Sequence, residues 1–138
     1  MSARALALIL AVGAAVAGTA AQTRRPAPLV IDSLVGSDLF GFYCASCHGA
    51  DGKGAGPLAQ ALRTPPADLT SIAKRNGGPF PRSRVSAYVS SDEPGVVAHG
   101  PRAMPVWGPI FHALDASDVR TKMRIDNLVS YIESIQAK

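Results

Sequence analysis

The chain has 138 residues, with 14 Lys and Arg against 10 Asp and Glu, which gives a formal net charge of +4. This length is enough for one domain, and so small an excess of positive charge does not indicate a nucleic-acid-binding protein. Glycine (13 residues) and proline (11 residues) are frequent, whereas aromatic residues make up 6% of the chain. The composition predicts short helices joined by long loops, a fold that a small hydrophobic core stabilises poorly.

The first segment has the layout of a secretory signal peptide. Residues 1–21 contain one basic residue, Arg4, followed by an uncharged apolar run and then by small residues. A positively charged start, an apolar centre and small residues before the cleavage site are typical of exported proteins. Cleavage after Ala20 or Ala21 would leave a proline-containing, basic and flexible leader at 22–33.

If this signal is cleaved, we expect a periplasmic protein without stable membrane insertion. The alternative is an uncleaved anchor, which would hold the protein at the outer face of the cytoplasmic membrane. The apolar run is nearly long enough to cross a bilayer, but it is rich in alanine and glycine and only weakly hydrophobic. The sequence therefore favours cleavage.

Both cysteines of the chain lie in the segment Tyr43-Cys44-Ala45-Ser46-Cys47-His48-Gly49. A disulfide across so short a loop would remove little chain entropy. A thioredoxin-like redox pair would need alternating strands and helices around it, and the sequence pattern shows none. A structural zinc site needs four ligands, and His99 and His112 do not form a second ligand pair at zinc spacing.

The pattern C-x-x-C-H uses all three side chains if it attaches a haem covalently. The preceding residues predict a helix with Ser37 as its N-cap. At about 100° per residue, a helix places Cys44, Cys47 and His48 on one face. Two thiols on that face can bond to the porphyrin vinyl groups, and the imidazole can bind the iron from below.

The middle of the chain is predicted to be rich in loops, followed by a two-turn helix over 82–90 with Val85, Tyr88 and Val89 facing inward. Between positions 63 and 84 the sequence has one acidic residue, Asp68, and five basic residues: Arg63, Lys74, Arg75, Arg82 and Arg84. This basic loop is either a docking patch for an acidic partner or a solvated loop, and the sequence leaves both open.

Four residues are candidates for the second axial position of a haem iron. Pro105 disfavours the helical conformation for Met104, so that an extended loop could lay the thioether across the distal face. His99, five residues earlier, is a competing ligand. Met123 falls in a helical pattern and is predicted to be a core residue, and His112 is predicted to lie at the surface.

The final helix is predicted to begin at Ser117 and to end at about Gln136. Its apolar positions recur at helical spacing and predict one buried stripe. The members of this stripe are Val119, Met123, Leu128, Tyr131, Ile132 and Ile135.

These residues together resemble the class I c-type cytochromes, which are exported, carry one haem and ligate its iron with histidine and methionine. The resemblance covers roughly residues 36–137. Gly36 and Phe40 precede Cys44 by eight and four residues, and Leu128 and Tyr131 lie three apart in the last helix. In that family these positions form the crossing of the first and last helices.

The resemblance also implies roles for two further residues. The loop 49–58 resembles the segment after the haem histidine, where a proline carbonyl accepts a hydrogen bond from the ligand's other ring nitrogen, which gives this role to Pro57. The stretch 104–108 is similar to the distal loop of small bacterial members, in which a tryptophan often lies near a haem propionate. This implies such a contact for Trp107, while Arg102 is expected either to neutralise a propionate or to face water.

We therefore expect an all-α cytochrome c fold over 34–138, with three to five helices and long loops around one covalently bound haem c. The cofactor-binding residues are then Cys44, Cys47, His48, Met104, Pro57 and Trp107, and the iron ligands are His48 and Met104. With both axial positions filled, the expected function is one-electron transfer rather than catalysis.

The expected protein is a soluble carrier between redox enzymes, with a donor and an acceptor protein as its partners. One alternative is a fixed electron-transfer subunit of a dehydrogenase or oxidase complex. Another is a haem peroxidase or gas sensor whose sixth ligand is labile.

Overall fold

The computed structural model describes residues 30–90 and 104–138, and the regular secondary structure within these ranges is entirely helical. The α-helices are α1 (Gly36–Tyr43), α2 (Ala45–His48), α3 (Ile72–Arg75), α4 (Arg82–Ser90), α5 (Trp107–Asp115) and α6 (Asp118–Ser134). Two 3-10 turns cover Ala59–Ala61 and Leu69–Ser71. The all-α prediction is confirmed. The described residues contain six helices instead of three to five because α2 and α3 are single turns of four residues.

The sequence predicted one of two helix starts correctly. Ser117 is the N-cap of α6, and its side chain accepts a hydrogen bond from the Arg120 amide at 3.2 Å. The first helix begins at Gly36, before the predicted cap Ser37, and its N-cap Val35 has no side chain that could accept such a bond. The predicted signal peptide lies outside the described residues, as does most of the leader.

The first and last helices cross at a glycine. A Cβ on Gly36 would lie 2.8 Å from the Cβ of Tyr131 and closer still to the Asn127 carbonyl oxygen. The Phe40 and Tyr131 rings pack beside this point with centroids 5.2 Å apart, and Leu128 is fully buried. The helix crossing expected from the family resemblance is therefore confirmed.

The core is one cluster built mainly from α1 and α6, with single contributions from α4 and α5. Its members are Leu39, Phe40, Cys44, Val89, Phe111, Ile125, Leu128, Val129 and Ile132. Within α4 the prediction holds for Val89 and partly for Val85, which packs against the cluster. It is wrong for Tyr88, whose side chain is 39% exposed.

The predicted apolar stripe of α6 is correct in its second half and wrong in its first. Val119 is 71% exposed and Met123 is 43% exposed, so Met123 is not the core residue that the helical pattern predicted. Arg124 and Ile125 are buried in their place. The guanidinium of Arg124 donates to Asp115 at the end of α5, and the face bearing Val119 and Met123 lies toward solvent.

Candidate haem-binding site

The attachment segment remains helical across both cysteines. Cys44 ends α1 and precedes α2, and its amide still donates to the Phe40 carbonyl at 2.9 Å. The amides of Cys47 and His48 then donate to the Cys44 carbonyl at 3.1 and 2.9 Å. The local backbone therefore has the helical geometry from which the shared face of Cys44, Cys47 and His48 was predicted.

The two thiols lie in different surroundings. Cys44 is buried, whereas Cys47 is partly exposed. Burial, with a smaller contribution from Cys47, raises the pKa of the Cys44 thiol to about 12. A thioredoxin-like nucleophile needs a lowered pKa, so this environment argues against a redox-active pair of cysteines. A thioether has no charge and no proton to lose, and burial is therefore compatible with haem attachment through this sulfur.

The loop after His48 folds back on the end of α2. The amides of Gly54, Gly56 and Leu58 donate to the carbonyls of His48, Cys47 and Ser46 at 2.7, 3.0 and 2.9 Å. These carbonyls end a helix and have no partner within it, so the loop supplies the bonds that they need. A Cβ on Gly56 would meet the backbone of Ser46 and Cys47, and only glycine allows this approach.

The His48 ring is oriented by a backbone carbonyl nineteen residues further along the chain. Its Nδ1 lies 2.9 Å from the carbonyl oxygen of Ala67. A proton on Nδ1 donated to this oxygen leaves Nε2 to bind iron, and such a bond fixes both the tautomer and the orientation of a ligand histidine.

The family resemblance gave this hydrogen bond to Pro57, and the structure differs. The reason is the packing of the segment 66–69 against the glycine loop. A Cβ on Gly54 would collide with the Pro66 carbonyl, and the amide of Leu69 donates to the Gly52 carbonyl at 2.7 Å. These contacts bring Ala67 to the imidazole, while Pro57 is exposed. No sequence signal marks Ala67, because any residue type can supply a backbone acceptor.

Met104, the predicted second iron ligand, is partly buried and packs against the core cluster that contains Cys44. Trp107, the first residue of α5, also packs there, with its ring centroid 5.3 Å from that of Tyr43 and 5.5 Å from that of Phe111. The contact of Trp107 with a propionate stays a prediction. The competing ligand His99 and the propionate candidate Arg102 lie outside the described residues.

The other candidate ligands point to solvent. His112 is exposed on α5, as predicted, and its Nε2 lies 3.1 Å from a carboxylate oxygen of Asp118. Met123 is also exposed. Within residues 30–90 and 104–138 there is no cluster of three or more His, Cys, Asp or Glu side chains that could hold a metal ion.

The five residues of the basic loop are all exposed, but their surroundings differ. Arg82 forms an ion pair with Glu133 at 2.6 Å. Arg75 donates to the Asp68 carbonyl at 2.8 Å, and Arg84 donates to the Asn76 side chain at 3.4 Å. Part of the positive charge is therefore engaged within the protein.

The donor set fits a covalently attached haem. Two neutral sulfur atoms lie on the same short helical segment as an imidazole whose Nδ1 is engaged, and the backbone around them is held by the glycine loop. Cys44 and Cys47 would anchor the porphyrin, and His48 would bind its iron.

The comparison with protein families agrees with this site. The family model described as cytochrome c oxidase, cbb3-type, subunit III matches residues 34–132. Neither the curated proteins nor the solved structures contain a significant match to the chain. The matched range begins just before α1, ends in the last turns of α6 and contains the complete C-x-x-C-H segment. The chain therefore belongs to this family of c-type cytochrome domains and binds haem c, an iron-containing porphyrin, covalently.

Proposed function

We propose that this protein transfers single electrons outside the cytoplasmic membrane, as a carrier with one haem c ligated by His48 and Met104. The observation that carries the proposal is the hydrogen bond between His48 Nδ1 and the Ala67 carbonyl, which prepares Nε2 for iron. A bound haem c supplies reversible exchange between Fe(III) and Fe(II).

Each residue of the site has a distinct part in this function. The thioether links through Cys44 and Cys47 keep the porphyrin attached in both oxidation states. Hydrogen bonding to Ala67 makes His48 a more basic ligand. The Met104 sulfur, as the second ligand, would raise the reduction potential relative to a second histidine. With His48 and Met104 both bound to the iron, neither peroxide nor a gas would find an open coordination position.

Export is part of the proposal and is supported by the signal-like segment 1–21. The helices in the described ranges are too short or too polar to cross a membrane. The mass of the protein purified from its native host tests this point. We expect one added haem on a chain that begins near Gln22, and an intact N-terminus starting at Met1 would show an uncleaved anchor instead.

The His48→Ala substitution tests the ligand. Both thioether anchors remain in this variant, so haem should stay attached through denaturing electrophoresis. We expect an altered visible spectrum, a changed reduction potential and poorer folding. A variant with the spectrum and potential of the wild type would show that His48 is not the ligand.

A second candidate is an electron-transfer subunit of an oxidase complex. The description of the matching family names a subunit of a cbb3-type oxidase, and this favours the alternative for the present chain. Gel filtration of a detergent extract from the native host separates the two possibilities. A carrier elutes near the mass of a monomer, whereas a subunit co-elutes with the haem and the activity of a membrane oxidase.

A further inference from the structure

The Gln136 side chain, two residues beyond the end of α6, bonds to the backbone of two segments. Its Nε2 donates to the carbonyls of Leu69 and Ile132, both at 2.7 Å. Its Oε1 accepts from the Ala73 amide at 2.9 Å. Both ends of the amide are therefore engaged, and the bonds are consistent with only one orientation of its oxygen and nitrogen.

The segment that Gln136 holds leads directly to the acceptor of His48. Leu69 is two residues from Ala67, and its peptide group is fixed from both directions. Its amide donates to the Gly52 carbonyl, and its carbonyl accepts from Gln136. The next carbonyl, that of Thr70, accepts from the Ala137 amide at 2.7 Å.

This arrangement matters because the segment 66–71 has little regular structure of its own. The turn Leu69–Ser71 is a single 3-10 turn capped by Asp68, and such turns have poorer hydrogen-bond geometry than an α-helix, so tertiary contacts contribute to its position. The hydrogen bond to an imidazole depends steeply on distance and angle. A small displacement of the segment would therefore weaken the contact between Ala67 and His48.

We propose that Gln136 is a positioning residue for the haem ligand. It ties the end of α6 to the backbone of 69–73 and so keeps the Ala67 carbonyl on His48 Nδ1. The inference rests on the proposed role of His48 as an iron ligand. The Gln136 side chain would then affect the iron in addition to stabilising the fold.

The expected consequence is a change in the electronic character of His48. The bond to Ala67 raises the basicity of the imidazole, and a more basic ligand favours Fe(III). Loss of Gln136 should therefore weaken the bond, make the imidazole a poorer donor and raise the reduction potential. The Nδ1 proton should also exchange with solvent more readily.

The test uses the full haem-loaded protein and two variants. Gln136→Ala removes the amide, and Gln136→Glu keeps its size and the acceptor for the Ala73 amide but sets a carboxylate against two carbonyls. For both variants we expect exchange of the His48 Nδ1 proton, followed by NMR, to be faster by about two- to tenfold, the factor that corresponds to the net contribution of one hydrogen bond. For Gln136→Ala we also expect a higher midpoint potential. The new charge of Gln136→Glu would shift its midpoint potential directly, so proton exchange is the informative measurement for this variant.

Two controls separate positioning from stability. Ser134→Ala removes a hydroxyl from the same helix end that bonds only to the Tyr131 carbonyl. Leu128→Ala opens the buried helix crossing and should lower stability at least as much as Gln136→Ala. In native buffer, both controls should keep the wild-type exchange rate of the Nδ1 proton and the wild-type potential.

The proposal is overturned if both Gln136 variants keep the wild-type proton exchange and Gln136→Ala keeps its potential. It is also overturned if Leu128→Ala changes these two quantities as much. If Gln136→Ala does not fold, the exchange rate in Gln136→Glu decides. A wild-type protein in which His48 does not bind iron would remove the proposed function and this role together, whereas unchanged Gln136 variants in a His48-ligated protein remove the role alone.

Discussion

At the scale of single residues, Arg124 is unusual among the described residues outside the haem site, because it is charged and only 1% exposed. Its Nη1 donates to Asp115 at 2.5 Å, and Arg120 contacts the same carboxylate at 3.0 Å. Its guanidinium carbon lies 5.9 Å from the centroid of the Phe111 ring. One carboxylate therefore neutralises a buried cation, and removing it would leave that cation without a counter-ion.

We expect Asp115→Asn to destabilise the protein and to reduce its sensitivity to acid. The hydrogen bond from Arg124, with that from Arg120, holds the pKa of Asp115 below its ordinary value of 3.8. A carboxyl with a lowered pKa in the folded state contributes stability above its unfolded pKa, and this stability is lost as the pH falls through the folded pKa. Urea unfolding at neutral pH and at a series of pH values from about 4 downward measures both effects.

Asp118→Asn is the matched control, because the Asp118 side chain is 94% exposed and, among the described residues, forms its ion pair with the exposed His112. Asp118→Asn should leave the stability at neutral pH and its loss in acid almost unchanged. Equal stability and equal acid response in the two variants would show that Asp115 does not stabilise the buried arginine.

The sequence predicts the haem site where the chemistry is local and misses it where the contact is distant. Cys44, Cys47 and His48 lie within five residues, and their shared face follows from helical geometry alone. Ala67 contacts His48 across nineteen residues through a loop that closes by glycine packing. A backbone acceptor has no characteristic residue type, and the sequence therefore could not reveal it.

At the scale of helices, the crossing of α1 and α6 depends on the absence of a side chain at position 36. We expect Gly36→Ala to lower the free energy of unfolding by about 1–3 kcal/mol, the usual cost of overpacking a close contact. Gly41→Ala is the control, since a Cβ there would meet nothing within 4 Å. It should stabilise α1 by about 0.5–1 kcal/mol through helix propensity.

Urea unfolding of the haem-loaded variants measures both changes. If Gly36→Ala were as stable as Gly41→Ala, the helices would not need the close approach seen here. The residues of this crossing could be predicted because they resemble a family pattern.

The burial of α6 could not be predicted fully, because helical periodicity gives the spacing of a stripe but not the face that a neighbour covers. Val119 and Met123 fit the spacing, yet α5 lies on the side of Arg124 and Ile125. Arginine is rarely buried, so a pattern of hydropathy would not predict Arg124 on the core face.

At the scale of the whole molecule, the exposed positive charge of the basic loop determines whether an acidic partner is attracted to it. In the basic loop, Arg82 is paired with Glu133, and Arg75 lies beside Asp68. Arg63, Lys74 and Arg84 are the residues of that loop best placed to attract an acidic partner.

If these three residues steer association, electron transfer to an acidic redox partner should slow as ionic strength rises, because salt screens exposed charges beyond about 10 Å at 0.1 M. Stopped-flow measurement between low and high salt tests this. In the variant with glutamine at positions 63, 74 and 84, electron transfer should be slower than in the wild type and less sensitive to salt. Rates that do not change with salt, or that rise with it, would argue against attraction at this loop.

We propose that His48 and Met104 close the iron of this protein to external ligands. Carbon monoxide binding to the reduced protein without denaturant tests it most directly. The wild type and Met123→Ala should not bind the gas, and Met123→Ala should cost about 0.5 kcal/mol or less because its side chain is at the surface. Met104→Ala should bind it readily and have a lower reduction potential, since the ligand that favours Fe(II) is gone. Ready binding by the wild type, or an iron opened by Met123→Ala but not by Met104→Ala, would show that Met104 does not close the iron.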